Sequence, residues 1–305
     1  MTLPGDPLRL NADLHAHSRV SDGVLAPAEV VRRAHAHGVQ LFALTDHDEV
    51  GGLAEAATAA SALGLVFVPG VEVSVSWGGE TIHVVGLRID PGCRALCDGL
   101  ARTRSGRDAR AREMAEDLAR AGIAGAYDGA LRFVGNPAMV GRTHFARYIV
   151  ELGVCRDVAE VFQRYLSEGK PGFVAHRWAS LGDATGWIRS AGGIAVLAHP
   201  GRYRLDETAL WALIAAFRDA GGEGIEVVSG SHTREQYRRF AQVAREFGLR
   251  ASRGSDFHGP DESRVELGSL PPLPETLVPV WLDWPEAALA ASRAQAVRGD
   301  AVARA

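Results

Sequence analysis

The chain has 305 residues, 47% of them hydrophobic, which is enough for one large domain or for a domain that carries an insertion. Its net charge of −4 argues against a protein that coats nucleic acid or binds anionic membranes, because such proteins usually carry a basic excess. Three cysteines without metal-type spacing, and the lack of any run of about 18 apolar residues, predict a cytoplasmic protein without disulfides or a membrane span.

Short apolar strands alternate with helical patterns in the first part of the chain. The predicted helices end at glycine, and the last predicted strand follows a Gly-Gly turn as in a hairpin. In chain order we expect a strand over 8–17, a helix over 26–38, a strand over 41–44, a helix over 53–64, a strand over 65–68 and a strand over 81–85. This order predicts a parallel sheet whose functional residues lie at the carboxyl ends of the strands.

Helical spacing dominates residues 91–172, which predicts an inserted helical domain between a first part, 8–90, and a second part, 173–305. Five apolar residues are expected to form one core stripe: Leu96, Leu100, Met114, Leu118 and Ile123. Five arginines interleaved with acidic residues are expected to form a solvated face: Arg102, Arg104, Arg107, Arg110 and Arg112.

Alternation of strands and helices resumes in the second part. The predicted strands are 193–198, 224–228 and 249–254, and the predicted helices are 205–220 and 234–247. Beyond residue 270, three prolines predict an extended connection to a short terminal strand and helix.

Histidines and carboxylates recur where these strands are expected to end. Asp13, His15 and His17 would share one face of a strand, because alternate side chains on a strand point the same way. A single His-x-His pair is weak evidence for a metal site. However, further histidines and acidic residues are also found where apolar runs end: Asp22, Asp46, His47, Glu72, His83, His199, Asp256 and His258. Imidazoles and carboxylates hold hydrolytic divalent ions, and the absence of cysteine from the set disfavours a structural zinc site.

These motifs resemble those of the PHP (polymerase and histidinol phosphatase) phosphoesterases. The resemblance rests on Asp-Leu-His-Ala-His-Ser at 13–18, Ser-Asp-Gly at 21–23, Leu-Thr-Asp-His-Asp at 44–48, Gly-Val-Glu at 70–72, His83, Ala-His-Pro at 198–200 and Gly-Ser-Asp-Phe-His at 254–258. Within that family, Gly-Arg-Thr-His-Phe-Ala-Arg at 141–147 and Gly-Lys-Pro-Gly at 169–172 are most similar to the RNase AM-type 3',5'-nucleoside bisphosphate phosphatases. The resemblance implies a distorted α/β barrel of the (β/α)7 type with an inserted helical cap domain.

The resemblance also implies two or three divalent ions, with Mn²⁺ expected and Fe²⁺ or Zn²⁺ suited to the same ligands. The first ion would bind to His15, His17, Glu72 and Asp256. Glu72 would bridge to a second ion on His83 and His199, and a third would bind to Asp22, His47 and His258. Many PHP proteins have histidine where this chain has Asp22. Asp13 and Asp46 are expected to orient ligand histidines.

Clustered divalent ions predict hydrolysis of a phosphate ester by metal-bound hydroxide, with His232 or another non-ligand histidine protonating the leaving oxygen. The resemblance implies removal of the 3'-phosphate from nucleoside 3',5'-bisphosphates such as adenosine 3',5'-bisphosphate (pAp). Glu72 and His232 are the expected catalytic residues. The substrate is expected to contact Arg142, Thr143, His144, Lys170 and His232.

Other functions remain open for a metal barrel of this kind. They are 5'-to-3' exoribonuclease activity on short 5'-phosphorylated RNA, hydrolysis of histidinol phosphate or of an amide, and metal binding without catalysis. A module that has lost catalysis usually lacks ligands, whereas all nine predicted ligand positions are filled here. The expected partner is a small nucleotide or a short RNA 5' end, and no DNA coat, membrane or obligate protein partner is indicated.

Overall fold

The computed structural model describes residues 7–303, and its strands form one seven-stranded sheet whose spatial order follows the chain. The strands are β1 (Ala12–Asp13), β2 (Leu41–Leu44), β3 (Val66–Trp77), β4 (Glu80–Leu87), β5 (Ile194–Leu197), β6 (Gly224–Ser229) and β7 (Arg250–Gly254). The predicted first strand is shorter than expected, because residues Pro7–Arg9 form a 3-10 helix.

The two edge strands approach each other and nearly close the sheet into a barrel. The Leu14 amide donates to the Arg253 carbonyl oxygen at 3.0 Å, and beyond the strand ends the Asp256 amide donates to the His15 carbonyl oxygen at 2.9 Å. The predicted α/β barrel is therefore confirmed.

The sheet is mixed. The predicted hairpin after Gly78 and Gly79 is confirmed, and the prediction of a parallel sheet is wrong for that strand. β4 runs antiparallel to both β3 and β5, whereas the other neighbouring strands are parallel. Gly78 and Gly79 connect β3 to β4 with positive φ angles of 57° and 86°, which glycine adopts without steric cost. The reversal brings the amino-terminal half of β4 to the end of the barrel where the parallel strands have their carboxyl ends.

Eleven α-helices lie among the described residues. They are α1 (Pro27–Ala36), α2 (Leu53–Leu63), α3 (Arg94–Arg104), α4 (Arg107–Arg120), α5 (Ala126–Leu131), α6 (Arg142–Glu151), α7 (Val158–Val161), α8 (Leu181–Ser190), α9 (Glu207–Asp219), α10 (Arg234–Phe247) and α11 (Pro285–Ala303). None of the described helices is long and apolar enough to cross a membrane. The predicted terminal helix is α11, but the predicted terminal strand is only one bridge, between Ala251 and Pro279.

Helices α3 to α7 lie between β4 and β5, and they belong to two hydrophobic clusters. Leu96 and Leu100 of α3 pack into the barrel core, whereas Met114, Leu118 and Ile123 pack into a second cluster within residues 111–174. The single predicted core stripe is therefore wrong. The domain boundaries 8–90, 91–172 and 173–305 stay predictions, and residues 304 and 305 lie outside the described part of the chain.

The close contact of α3 with the barrel explains this division. Gly99 faces the indole of Trp187 on α8 so closely that a Cβ atom there would lie 2.3 Å from the ring. Helix α3 ends at Arg104 and α4 begins at Arg107, so the two helices can pack against different cores.

Candidate metal centre

All nine predicted metal ligands come together at one end of the barrel. Most of them follow the carboxyl ends of parallel strands. Glu72 and His83 differ because they lie within β3 and β4, and the reversed direction of β4 brings His83 to the same end. The residues assembled there are His15, His17, Asp22, His47, Glu72, His83, His199, Asp256 and His258.

Glu72 lies at the centre of the cluster and is fully buried. One of its carboxylate oxygens is 3.0 Å from both His83 Nδ1 and His199 Nε2, and the other is 2.9 Å from His47 Nδ1. The Nε2 atoms of His15 and His17 each lie 3.3 Å from a Glu72 oxygen. Burial by itself would raise the pKa of Glu72, but the surrounding imidazoles hold it well below its usual range.

Asp22 forms the second focus of the cluster. Its Oδ1 atom lies 3.3 Å from His258 Nε2, 3.9 Å from His47 Nε2 and 4.0 Å from His17 Nδ1. The other oxygen accepts a hydrogen bond from the Thr143 hydroxyl at 3.0 Å. Thr143, which belongs to the inserted helix α6, thus holds the Asp22 carboxylate so that its Oδ1 atom faces three imidazoles.

Several buried polar atoms of the cluster lack a hydrogen-bond partner. They are His17 Nδ1, Asp22 Oδ1, His47 Nδ1, Glu72 Oε2, His199 Nδ1 and Asp256 Oδ1. Burying a polar atom without a partner costs free energy of folding. The concentration of such atoms here therefore indicates a site for a group that accepts their lone pairs. Four overlapping groups of these side chains offer ligand atoms within 4.8 Å of one another, which fits more than one divalent ion. The assignment of each ligand to a particular ion stays a prediction.

Glu226 is a buried carboxylate that the sequence reasoning missed. Its Oε1 atom accepts from His15 Nδ1 at 2.8 Å, and its Oε2 atom accepts from the His199 amide at 2.6 Å. Because His15 donates through Nδ1, its Nε2 atom is left free toward the cluster. The available signal was a single acidic residue within the apolar, fully buried strand β6.

Asp13 and Asp46 do not contact histidine side chains, so the expectation that they orient ligand histidines is wrong. Asp13 accepts from the amides of Ser255 and Gly268, at 2.8 and 3.0 Å. Asp46 accepts from the Ser18 amide and from the hydroxyls of Ser18 and Ser21. Both carboxylates therefore fix the loops that carry ligands, and not the imidazole rings.

Replacing Glu226 by glutamine is expected to weaken metal binding by roughly 10- to 100-fold, the usual effect of losing a partner that orients a ligand. The neutral amide keeps the size of the side chain but no longer supports the basicity of His15. Chelator-competition titration with Mn²⁺ measures the change. The matched control is Glu223→Gln, which alters an exposed carboxylate one residue before β6. Unchanged affinity in a folded Glu226→Gln protein would contradict the assignment.

A cavity extends from the cluster of predicted metal ligands toward the inserted helices. Its floor includes Asp22, His47, His83 and His258, and its wall includes Arg107, Arg110, Arg142, Thr143, Phe162, Trp178 and Arg202. The expected solvated face is wrong for Arg107 and Arg110, whose residues are only 8% exposed. They lie on the side of α4 that carries Met114 toward the interior.

Three guanidinium groups in this wall form what we call the arginine cluster: Arg107, Arg110 and Arg142. Arg107 pairs with Asp48 and lies 4.6 Å from the Trp178 ring, and Arg110 donates to the Val174 carbonyl oxygen at 2.9 Å. The Arg142 guanidinium has no hydrogen bond or ion pair with any residue that the structure describes.

The arginine cluster carries more positive charge than its surroundings neutralise. Burial and the neighbouring arginines lower the pKa of Arg110 to about 9, and burial together with Arg202 and Arg107 lowers the pKa of Arg142. An anion in the cavity would relieve this repulsion. The cavity is therefore suited to a negatively charged ligand.

The predicted substrate contacts divide into two groups. Arg142 and Thr143 line the cavity, whereas His144, Lys170 and His232 do not. His144 is buried, accepts from the Gly141 amide at 3.1 Å, and has a pKa lowered to about 4 by burial. Lys170 is exposed. His232 accepts from the Gly201 amide at 3.0 Å through Nε2, while its Nδ1 lies 3.2 Å from the Val227 carbonyl oxygen.

The chain is similar in sequence and in fold to several known proteins. A family model described as "PHP domain" matches residues 13–168. A 3',5'-nucleoside bisphosphate phosphatase from Chromobacterium violaceum is 55% identical over 271 residues, covering 89% of this chain and 95% of that protein. A 5'-3' exoribonuclease from Haemophilus influenzae is 42% identical over 269 residues, covering 88% and 97%. The solved structure of a Chromobacterium violaceum amidohydrolase with bound sulfate and no metal has a TM-score of 0.86 and 54% identity, covering 89% and 94%.

Proposed function

The chain belongs to the PHP domain family, and we propose that it is a metal-dependent phosphatase that removes the 3'-phosphate of nucleoside 3',5'-bisphosphates such as pAp. One observation carries the proposal: the metal ligands and the arginine cluster line the same cavity. A substrate with two phosphates can occupy both regions at once. The metal ligands would surround the phosphate that is removed, and the arginines would hold the other one.

The donor set indicates which ions suit the site. Two or three divalent ions would bind to the nine imidazole and carboxylate residues, with Mn²⁺ proposed and Fe²⁺ or Zn²⁺ compatible with the same donors. Bound divalent ions lower the pKa of water and neutralise phosphoryl oxygens. Glu72 would serve more than one ion, since its two oxygens face different histidines.

Residues of the chain would position both ends of the substrate. Arg142 offers a free, planar set of donors that matches the oxygens of the remote phosphate. Arg202 contacts Asp256 at 2.7 Å and also lines the cavity, so it can hold that ligand while it donates to the reacting phosphate. His232 would act indirectly, because its contact with Gly201 supports the turn that carries Arg202.

A second candidate is 5'-to-3' exoribonuclease activity on short 5'-phosphorylated RNA. Two further cavities meet the first one at Phe162 and Arg202, which leaves space for nucleotides beyond the reacting phosphate. The relative from Haemophilus influenzae is named for this activity. In that reaction the arginine cluster would hold the 5'-terminal phosphate.

We also propose a cytoplasmic location, which is supported by three free cysteines, Cys93, Cys97 and Cys155. The proposed partner is a small nucleotide, with the 5' end of a short RNA as the alternative. Neither function requires DNA, a membrane or a second protein chain.

A comparison of substrates under matched Mn²⁺ tests the proposed function. We expect kcat/KM for pAp to exceed that for 3'-AMP by about 100-fold, because a hydrogen-bonded charge contributes roughly 1.5–3 kcal/mol per contact. Activity on 5'-AMP and on histidinol phosphate should be weaker still. A preference for either of the last two compounds would exclude the proposed substrate class.

A further inference from the structure

Phe162 lies where three cavities at the barrel mouth meet. One is the cavity above the metal ligands, and the other two extend from it in different directions. Phe162 is the one aromatic residue common to the three linings, and it is half-buried. A flat apolar ring at this junction offers a contact surface to a ligand that extends from the metal ligands to the arginine cluster.

The local backbone explains why this ring faces the cavities. Residues Phe162–Leu166 form a π-helical turn directly after α7, closed by a hydrogen bond of 3.0 Å from the Ser167 amide to the Phe162 carbonyl oxygen. Val161 and Leu166 on either side are fully buried in the core of the insertion. The flanking residues therefore hold the turn, while Phe162 keeps part of its ring outside that core. Turns of this kind are frequent at functional sites.

The ring is positioned to contact a group that projects from the sugar of a bound nucleotide. Arg142 Cζ lies 5.7 Å from the Phe162 ring centroid, so the ring adjoins the arginine cluster. All three cavities that it lines also include His83 or His258 together with Arg142 or Thr143. In a nucleoside bisphosphate, the sugar joins the two phosphates, and the base projects from the sugar to one side. Phe162 lines both cavities that extend from the first one, so its ring borders the space that a projecting base can enter when both phosphates are bound.

We propose that Phe162 is the stacking platform for the nucleobase of the substrate. The inference rests on the proposed function, because it takes both phosphates as bound in the cavity. Stacking uses the π-face that every base has, so the platform favours nucleotides over sugar phosphates without requiring one particular base. Base–aromatic stacking in other proteins corresponds to about a 5- to 150-fold change in binding.

The test compares substrates that differ only in the base. For Phe162→Leu, we expect kcat/KM on pAp to fall about 5- to 150-fold, while kcat/KM on 1-deoxyribose 3,5-bisphosphate changes less than about twofold. Phe162→Tyr should restore activity on pAp, because it keeps the aromatic ring. The matched control is Phe133→Leu, another half-buried phenylalanine of the insertion that lines none of the three cavities. Equal losses on both substrates would show a structural role and overturn the proposal.

Binding of the product separates this inference from the proposed function. Calorimetry of the Mn²⁺-loaded protein should show that 5'-AMP binds at least about fivefold tighter than ribose 5-phosphate, and that Phe162→Leu removes the difference. This comparison needs no turnover, so it decides on the platform even if pAp is not hydrolysed. Equal binding of the two compounds to the unaltered protein overturns the platform. A preference for 5'-AMP without hydrolysis of pAp supports the platform and rejects the proposed reaction.

Discussion

Replacing Glu72 by glutamine is expected to reduce kcat/KM on pAp by on the order of 1,000-fold or more. The carboxylate is buried and lies within 3.3 Å of five imidazoles. Breaking a buried charged contact costs roughly 3–5 kcal/mol, and each 1.36 kcal/mol corresponds to a tenfold change in rate. Glutamine has nearly the same shape, so the loss would come from charge and ligand strength and not from packing.

Metal content measured alongside activity tests the reason for that loss. Elemental analysis of the loaded Glu72→Gln protein should find fewer ions per chain than in the unaltered protein, because the substitution removes the carboxylate that we propose serves two ions. Glu223→Gln again provides the control, since it removes one exposed negative charge near β6. Full metal content together with full turnover in Glu72→Gln would show that Glu72 has no bridging role.

Replacing Arg142 by alanine is expected to lower kcat/KM on pAp by roughly 100-fold or more and to leave 3'-AMP hydrolysis nearly unchanged. A bidentate contact with phosphate supplies two charge-assisted hydrogen bonds of about 1.5–3 kcal/mol each, and 3'-AMP has no phosphate to place there. Arg142→Lys should recover only part of the loss, because an ammonium group cannot form the same planar pair of hydrogen bonds.

An exposed arginine of the same insertion gives the control for Arg142. Arg132 pairs with Glu151 on the surface and does not line the cavity, so Arg132→Ala should leave both substrates unaffected. Steady-state kinetics on pAp and 3'-AMP for the three variants provides the comparison. If Arg142→Ala lost the same factor on both substrates, the arginine would be supporting the metal end of the cavity and the remote-phosphate assignment would be wrong.

The barrel and the convergence of the nine histidine and acidic residues could be predicted, because both correspond to local sequence patterns. Short apolar runs ended by histidine or acidic residues mark buried strands, and strand ends of one barrel meet at one mouth. The Gly-Gly turn at 78–79 also predicted β4 as the second strand of a hairpin, whose two strands are antiparallel. His83 was accordingly placed within the predicted strand 81–85. The sequence did not show that β4 also pairs antiparallel with β5, because alternation of side chains is the same in parallel and antiparallel strands.

The burial of charged residues could not be predicted from the sequence. Arg107 and Arg110 are interleaved with acidic residues, as on a solvated face, but the packing of α4 places both of them in the wall of the cavity. Glu226 was missed for a related reason. Its partners His15 and His199 are distant in the chain, whereas Asp13 and Asp46 are near ligand histidines in sequence but bond to loops.

Identification of the phosphate that leaves pAp tests the central claim most directly. The claim is that the metal ligands act on the 3'-phosphate while the arginine cluster holds the 5'-phosphate. Phosphorus NMR of the reaction with the Mn²⁺-loaded protein should show inorganic phosphate and 5'-AMP rising together as pAp disappears. Accumulation of 3'-AMP, or the absence of any hydrolysis by the fully loaded protein, would contradict the claim.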